Sequence, residues 1–445
     1  MTGKATAMAS VRSEIPGIVA LSLPMVAGLA AGSLLAVTDS LMLAPLGALP
    51  LAAVGLTSAF GIIVGAAVYG LVSAVQVRIG TAFGARQGRR IPSILRGGLA
   101  LGAIAGAGAG LAMLGVWPLL PIVGQPPEVL AVVFPYWCLI AAWTVPFGML
   151  TVFRSSFEAV GRPWIGTAFA YLAVALNIPL NYALIWGAGP IPALGLTGAG
   201  IGTLASEVLA LAAAWGWWSL APRLRRLRTR GALSRTEIAA TAREGAPLGL
   251  MYLAETGAMT VATLMIGTFG TVALAGNQVA MALGGVLYML PLGIAQAIAV
   301  RVAQVRGAGE VARTRPVAWA GLGLATAWLG TVAVLLGLFG ERIAGAISPD
   351  PQVVAMAATI LLVFAVMQVF DGVQSSMVGA LRGLSDTGFA AWVSMAAYWT
   401  TGIPLGWVLA HSGGMGPAGV WLGWLVALAA AGVVLVWRFR AQTAP

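Results

Sequence analysis

The sequence has very little charge, and almost no cysteine or histidine, for its length. Only 8% of its 445 residues are charged, against about 25% in a soluble globular domain, so most of the protein does not face water. The single cysteine, Cys138, excludes a disulfide framework and a Cys-based metal site, and the single histidine, His411, excludes a histidine cluster. Walker A loops, Gly-x-Ser-x-Gly elbows and Asp-rich magnesium motifs are also missing. The sequence therefore indicates no enzyme, no direct use of ATP and no cofactor.

Long hydrophobic runs make up most of the chain, which is 60% hydrophobic. Each run has about 20 residues or more, which is enough to cross a hydrocarbon core of about 30 Å as a helix. Short polar or Pro/Gly breaks separate twelve such spans. The first run has no small-residue cleavage site after a short apolar core, so we interpret it as a retained span. The sequence predicts an all-α polytopic membrane protein with twelve transmembrane helices.

The net charge of +11 reflects how the basic residues are distributed among the connections. With twelve spans, nearly all of them fall on one side of the membrane, and only Arg342 lies in a connection on the other side. The basic residues on the first side are Lys4, Arg12, Arg86, Arg89, Arg90, Arg223, Arg225, Arg226, Arg228, Arg230, Arg301, Arg306, Arg313, Arg315, Arg438 and Arg440. This is the positive-inside pattern, which places both termini in the cytoplasm. The expected partners are anionic lipid headgroups rather than nucleic acid.

The second half of the chain can be aligned with the first at one constant offset. Pro24 falls on Pro247, and Arg78 falls on Arg301. Six spans in each half is an even number, so both halves enter the membrane from the same side. We therefore expect two parallel six-helix bundles with pseudo-twofold symmetry along the membrane normal, which rock around a central cavity. The expected divisions are an N-terminal bundle at 1–221, a cytoplasmic basic linker at 222–237 and a C-terminal bundle at 238–445.

Three acidic residues, Asp39, Glu255 and Asp371, lie deep inside apolar spans. A charge at mid-membrane costs from roughly 3 to over 10 kcal/mol, so it usually handles an ion, a proton or a cationic substrate. Burial favours the protonated carboxyl and a nearby cation favours the ionised form, so such a group can exchange a proton for a cation. Thr38 and Ser40 flank Asp39 and are placed to hydrogen-bond its carboxylate. The alternative is that these acids are structural, tied by hydrogen bonds to neighbouring helices.

Further polar residues are candidates to complete a cavity. Asn177 and Asn181 are four residues apart, which places them on one helix face, and Pro179 between them frees a backbone carbonyl. Gln278 lies near the start of the eighth span, and Tyr288 follows ten residues later. Interhelical hydrogen bonding is the alternative role. The chain also has 16 methionines and 16 tryptophans, which supply adaptable apolar surface for amphiphilic compounds or anchors at the membrane interface.

In these features the sequence resembles the multidrug and toxin extrusion (MATE) family, and in particular its NorM-like branch. The matching segments are Asp39 in the first span, Gly-Ala-Arg-Gln-Gly-Arg-Arg at 84–90, Leu-Asn-Ile-Pro-Leu-Asn at 176–181, Gly-Leu-Thr-Gly-Ala-Gly-Ile-Gly at 195–202, Gly-Asn-Gln-Val-Ala at 276–280, and Asp371 followed by Gly-Ala-Leu-Arg-Gly-Leu-Ser-Asp-Thr at 379–387. By this resemblance Glu255 and Asp371 bind the coupling ion, which is H⁺ or Na⁺, with help from Tyr288. Gln278 and Asp39 contact substrate or ion. The other prokaryotic branch has an Asp where this chain has Asn181, which favours the NorM-like interpretation.

The sequence thus predicts a multidrug efflux antiporter of the bacterial cytoplasmic (inner) membrane, working by alternating access. It would exchange cationic amphipathic compounds for H⁺ or Na⁺ and would act as a monomer. Asp39, Gln278, Asn177 and Asn181 are the expected substrate residues. One alternative is a drug transporter of the major facilitator type, although Ala85 replaces the Asp of that family's loop. The other alternative is a lipid-linked oligosaccharide flippase of the same superfamily, whose cavity usually carries several cations.

Overall fold

The computed structural model describes residues 2–190, 192–221 and 233–444, with side chains from Ser10 onward. The side chain of Lys4 and the arginines at 223–230 lie outside the described residues, as does most of the expected linker. The α-helices are α1 (Thr2–Leu43), α2 (Ala48–Val72), α3 (Ala74–Gly84), α4 (Ile91–Val116), α5 (Pro127–Ala159), α6 (Pro163–Trp186), α7 (Gly195–Leu220), α8 (Arg235–Gly267), α9 (Thr271–Gly307), α10 (Thr314–Ile347), α11 (Pro351–Gly383), α12 (Thr387–Ala396), α13 (Ile403–Trp407) and α14 (Gly416–Gln442).

Eleven helical segments in the described ranges are long and apolar enough to cross a membrane, with α2 and α3 counted as one segment. The remaining expected span, the eleventh in chain order, is also helical, from Thr387 to Ser412, but it is not a regular α-helix. The π-helical segments Ala397–Gly402 and Val408–Ser412 flank the short α13. Pro404 in α13 has no backbone N–H, and such a residue commonly distorts the hydrogen-bond ladder of a helix.

The described chain forms two compact units whose boundaries fall inside helices. The N unit is Ala27–Leu253, and the C unit is Met1–Val26 together with Ala254–Pro445. The first part of α1 thus belongs to the C unit, and the first part of α8, residues 235–253, belongs to the N unit. These boundaries differ from the expected sequence halves 1–221 and 238–445, because the beginning of each half's first helix packs with the other half.

A backbone approach of the same kind holds each of these exchanged segments in its unit. In the N unit, a Cβ on Gly70 of α2 would lie 2.7 Å from the carbonyl oxygen of Leu248 on α8. In the C unit, a Cβ on Gly293 of α9 would lie 3.2 Å from the backbone nitrogen of Val26 on α1. The first distance is too short for a side chain, and a Cβ on Gly293 would lie closer still to the Val26 side chain, so glycine permits each helix crossing. Gly70 and Gly293 are equivalent at the offset that relates Pro24 to Pro247.

The turns of the two halves repeat the same backbone geometry. Gly47 (φ 104°, ψ −178°) precedes α2, and its equivalent Gly270 (φ 99°, ψ 179°) precedes α9. Arg86 and its equivalent Gly309 both have positive φ, at 56° and 79°. Few non-glycine residues adopt such a conformation, so chance does not explain an arginine with positive φ at the position equivalent to a glycine. The expected fold class, an all-α polytopic membrane protein built from an internal repeat, is confirmed.

Candidate functional site

Asp39 of α1 is the centre of a closed hydrogen-bond network in the N unit. Asn181 Nδ2 donates to Asp39 Oδ1 at 2.6 Å, and Thr203 Oγ1 donates to Asp39 Oδ2 at 3.1 Å. Asn177 Nδ2 donates to Thr203 Oγ1 at 3.2 Å, and Asn181 Nδ2 also donates to Asn177 Oδ1 at 3.1 Å. Asp39 is only 7% exposed, and both asparagines are fully buried. The network therefore satisfies both carboxylate oxygens and ties α1 to α6 and α7.

Two local features of α6 and α7 build this network. The spacing of Asn177 and Asn181 places both amides on one face of α6, as expected from the sequence. On α7, a Cβ on Gly202 would lie 3.2 Å from the backbone nitrogen of Asn181, and closer still to its side-chain oxygen. Gly202 therefore permits the close approach of α7 that brings Thr203 to the carboxylate.

Sequence reasoning missed two residues at this centre, Thr203 and Tyr136. Tyr136 of α5 is buried, with 3% exposure, and lies close enough to Asp39 for a direct electrostatic interaction. Thr203 directly follows the glycine-rich segment 195–202, which was the available signal. The flanking Ser40, which was predicted to hydrogen-bond the carboxylate, instead donates its hydroxyl to the Ala36 carbonyl oxygen at 2.9 Å. A serine in a helix commonly bonds to its own preceding turn in this way.

The C unit brings together the other two candidate acids. Glu255 of α8 and Asp371 of α11 are both half-buried, and they lie close enough to interact electrostatically. Two like charges this close favour binding of a proton or another cation between them. Tyr288 of α9 is also half-buried. Across the described residues, no group of three or more His, Cys, Asp and Glu side chains meets. A sodium ion at this pair would thus need further oxygen ligands, since hard cations take oxygen ligands.

The two neighbouring amides at the start of α9 have different environments. Gln278, the expected substrate residue, is exposed. Asn277 is fully buried and accepts a hydrogen bond of 2.9 Å from Trp421 Nε1. A helix turns 100° per residue, so adjacent side chains point in different directions. Asn277 therefore has a structural bond to α14, while Gln278 remains available at the surface of the C unit.

Another polar cluster, which sequence reasoning missed, lies one turn beyond Asp371. Gln374 Nε2 donates to Ser394 Oγ at 2.7 Å and to the Tyr398 hydroxyl at 3.1 Å. The Tyr398 ring stacks on Trp424, with ring centroids 4.9 Å apart. Residues three apart share a helix face, so Gln374 continues the polar face of α11 that carries Asp371.

A model of a known protein family matches both halves of this chain. The MatE family model matches residues 24–183 and again residues 247–408, so the two matches begin at the equivalent residues Pro24 and Pro247. The chain belongs to the MatE family. The resemblance noted in the sequence is thus confirmed, and the major facilitator alternative is wrong. Membership makes the protein a polytopic membrane transporter rather than an enzyme.

Relatives of this MatE protein match it over nearly their full length. It is 34% identical to the probable multidrug resistance protein NorM of Deinococcus radiodurans over 442 residues, which cover 98% of this chain and 97% of the relative. It is 32% identical to the probable multidrug resistance protein NorM of Pseudomonas aeruginosa over 448 residues, with 97% and 90% covered.

Solved structures support the same MatE fold. The bent form of the Vibrio cholerae MATE transporter VcmN has a TM-score of 0.86 at 21% identity, with 98% of both chains covered. The eukaryotic MATE transporter AtDTX14 has a TM-score of 0.87 at 20% identity, also with 98% of both chains covered. At these identities the likeness concerns the fold alone.

The acids of this MatE protein do not follow its internal repeat. Gly32 stands at the position equivalent to Glu255, and Ala262 stands at the position equivalent to Asp39. Phe147 or Gly148 is found where the first half would carry the equivalent of Asp371. The scaffold is therefore repeated while the chemistry is not, so each unit has its own kind of acidic centre.

Proposed function

We propose that this chain is a multidrug efflux antiporter that exports cationic amphipathic compounds in exchange for H⁺ or Na⁺. The observation that carries the proposal is the pair of different acidic centres, Asp39 in the N unit and Glu255 with Asp371 in the C unit. A transporter that exchanges two cations needs groups that can hold each of them. The names of the relatives from Deinococcus radiodurans and Pseudomonas aeruginosa, both probable multidrug resistance proteins, support this substrate class.

The coupling ion binds in the C unit under this proposal. Glu255 and Asp371 repel one another when both are ionised, so an arriving proton or sodium ion relieves the repulsion, and the Tyr288 hydroxyl assists as an oxygen ligand. Ion binding can drive export only if the ion binds one conformation more tightly than the other. The antiporter therefore alternates between conformations that differ in their affinity for the ion at this pair.

Substrate interacts with Asp39 and the amides around it. Asn177 and Asn181 hold the carboxylate in a closed network, so a cationic substrate competes with their amide donors for the same charge. Gln278, exposed on α9, offers a further polar contact. The methionines and tryptophans supply apolar surface for the substrate's rings. In this proposal Asp39 selects cationic substrates, and the Glu255–Asp371 pair in the C unit binds the coupling ion.

The membrane potential drives such an exchange only if each cycle carries one net positive charge inward, as when two ions enter for each monovalent substrate that leaves, because a one-for-one exchange moves no net charge. One charge moved inward through 100 mV releases about 2.3 kcal/mol. Since each 1.4 kcal/mol corresponds to a factor of ten, this sustains a substrate concentration ratio of roughly 50-fold. An ion concentration gradient would add to this ratio.

The setting of the antiporter follows from its charges. The basic connections support a cytoplasmic position for both termini and anionic headgroups as lipid partners. The bacterial relatives support the cytoplasmic (inner) membrane, and the monomer is taken as the functional form, without a cofactor other than the coupling ion. A flippase for lipid-linked oligosaccharides is less well supported, because the charged candidate residues inside the described spans are acids, which repel phosphate groups.

Accumulation of a fluorescent cation in whole cells tests the proposed function. The protein is expressed in a bacterial host that lacks its own efflux pumps, and ethidium uptake is followed with time. We expect low accumulation with the native chain, and high accumulation with the Glu255→Gln variant at equal membrane abundance. High accumulation with both would contradict multidrug efflux.

A further inference from the structure

Each unit contains one cluster of four alternating charges at the beginning of an exchanged helix segment. In the N unit, Arg78 of α3 pairs with Glu237 of α8, and Arg78 Nη1 lies 2.6 Å from Glu244 Oε1. Arg90, in the turn before α4, completes this cluster with its Nε 3.1 Å from Glu237 Oε1. We call these four residues the N strap, because they attach the beginning of α8 to α3 and α4.

The C unit has a matching cluster. Arg301 Nε of α9 lies 3.2 Å from Glu14 Oε2 of α1, and Arg313 Nη2 lies 2.5 Å from Glu14 Oε1. Arg313 also pairs with Glu310. We call these four residues the C strap, because they attach the beginning of α1 to α9 and α10. Glu14 is only 3% exposed, so these arginines compensate for the cost of burying its carboxylate.

Three of the four positions in the two straps are equivalent. Arg78 and Arg301, Arg90 and Arg313, and Glu237 and Glu14 are each separated by the offset that relates Pro24 to Pro247. Equivalent loop turns set the partners in place: the backbone nitrogen of Arg90 bonds to the Gln87 carbonyl oxygen at 2.9 Å, and that of Arg313 bonds to the Glu310 carbonyl oxygen at 2.9 Å.

The fourth position differs between the straps, but the charge balance does not. Glu244 completes the N strap from α8, and its equivalent in the C unit is Leu21. Glu310 completes the C strap from the loop, and its equivalent in the N unit is Gln87. Each strap thus has two arginines and two glutamates, although the second glutamate comes from a different place. Neutrality, rather than a particular residue at the fourth position, is what the two straps have in common.

The helices α1 and α8 each begin at a strap in one unit and carry a candidate acid in the other. The segment of α8 held by the N strap continues across the unit boundary at Leu253–Ala254 and reaches Glu255 directly. The segment of α1 held by the C strap continues past Val26 and reaches Asp39. Each helix that carries a candidate acid is therefore fastened at its beginning to the unit that does not hold that acid.

We propose that the two straps are coupling elements, whose neutral charge balance keeps α1 and α8 fastened so that movement of the units is transmitted to Asp39 and Glu255. This inference rests on the proposed antiport function for its consequence in transport. The eight residues are positioning residues, since in the described structure they act through the helices rather than on the ion or the substrate. Loosening a strap should lower the maximal rate of export with little change in the substrate concentration that gives half of that rate.

A charge-relocation experiment tests the N strap. Glu244→Leu copies the residue found at the equivalent position of the C unit and leaves the strap with one excess positive charge. Adding Gln87→Glu copies Glu310 and restores neutrality by the route that the C strap uses. We expect Glu244→Leu to lower maximal ethidium efflux about tenfold, the scale of typical coupling energies, and the double variant to recover most of the native rate. Glu128→Gln, which changes an exposed acid in the first turn of α5, is the matched control and should leave efflux unchanged.

Amide hydrogen exchange of residues 235–253 provides a readout that needs no substrate. Exchange should rise in Glu244→Leu and return to the native level in Glu244→Leu/Gln87→Glu. If amide exchange is unchanged in Glu244→Leu, or if exchange and efflux do not recover in the double variant, the N strap does not fasten α8 through its charge balance. If the native protein exports no ethidium but amide exchange follows the expected pattern, the proposed function is contradicted. The claim that the N strap fastens α8 would still hold.

The mirror experiment in the C unit covers the case in which Glu244→Leu fails to insert. Glu310→Gln should loosen the C strap, with raised amide exchange in residues 10–26, and Leu21→Glu should restore it by supplying the acid from α1. Normal exchange in Glu310→Gln, or exchange that stays raised after Leu21→Glu, would contradict charge balance as the shared property.

Discussion

Asn181 Nδ2 donates a hydrogen bond of 2.6 Å to Asp39 Oδ1 and so joins α6 to α1 at the centre of the N unit. The NorM-like interpretation of the sequence rests in part on this asparagine, because the other prokaryotic branch has an aspartate at this position. An amide donor favours the ionised form of its partner, while burial opposes it. Asp39 is thus a buried acid whose two carboxylate oxygens are both held by hydrogen-bond donors, from Asn181 and Thr203.

Replacing Asp39 by Asn should weaken export of monovalent cations more than export of neutral compounds. The substitution keeps the size of the side chain but removes the charge that attracts the substrate. Initial efflux rates of ethidium and of a neutral dye are compared in the same vesicles. Equal losses for the two compounds would instead assign Asp39 a structural or coupling role.

Gly202→Ala should disturb the same network without changing any charge. A Cβ at this position collides with Asn181, and such overpacking typically costs about 1–3 kcal/mol. We expect a lower thermal unfolding temperature and reduced efflux of ethidium. Gly216→Ala on the same helix is the control, because a Cβ there meets nothing within 4 Å. Equal behaviour of the two variants would show that α7 does not need this close approach.

Asp371→Asn should abolish export while the protein remains inserted in the membrane. Without this carboxylate, the pair with Glu255 loses the repulsion that ion binding relieves. Asp350→Asn is the control on the same helix, since Asp350 caps the start of α11 by accepting from the Gln352 backbone nitrogen at 2.9 Å and asparagine caps equally well. Membrane abundance and ethidium efflux are measured for both variants, and normal efflux in Asp371→Asn would refute its coupling role.

Local spacing made part of this site predictable from the sequence. The four-residue interval between Asn177 and Asn181 places them on one helix face whatever surrounds them. Asp39 can be recognised as a candidate because a charge inside an apolar span is energetically costly. Thr203 cannot be recognised in this way, because a threonine costs little energy in a membrane helix and its role depends on how α7 packs.

The ion pairs, too, could be predicted only in part from the sequence. Equivalent arginines such as Arg78 and Arg301 can be recognised by aligning the halves. Their partners Glu237 and Glu14 cannot be assigned in this way, since each belongs to the other half of the chain. Only tertiary packing brings Glu14 to Arg301, across 287 positions of sequence. For the same reason, the boundaries of the compact units fall inside helices and not at the basic segment.

Ethidium export from reconstituted vesicles, with pH and sodium gradients imposed one at a time, tests antiport most directly. Purified native protein is compared with Glu255→Gln at equal density in the membrane. The account predicts export driven by one of the two gradients and lost in Glu255→Gln, which would also identify the coupling ion. Correctly inserted native protein that exports no ethidium under either gradient, or export that persists in Glu255→Gln, would contradict it.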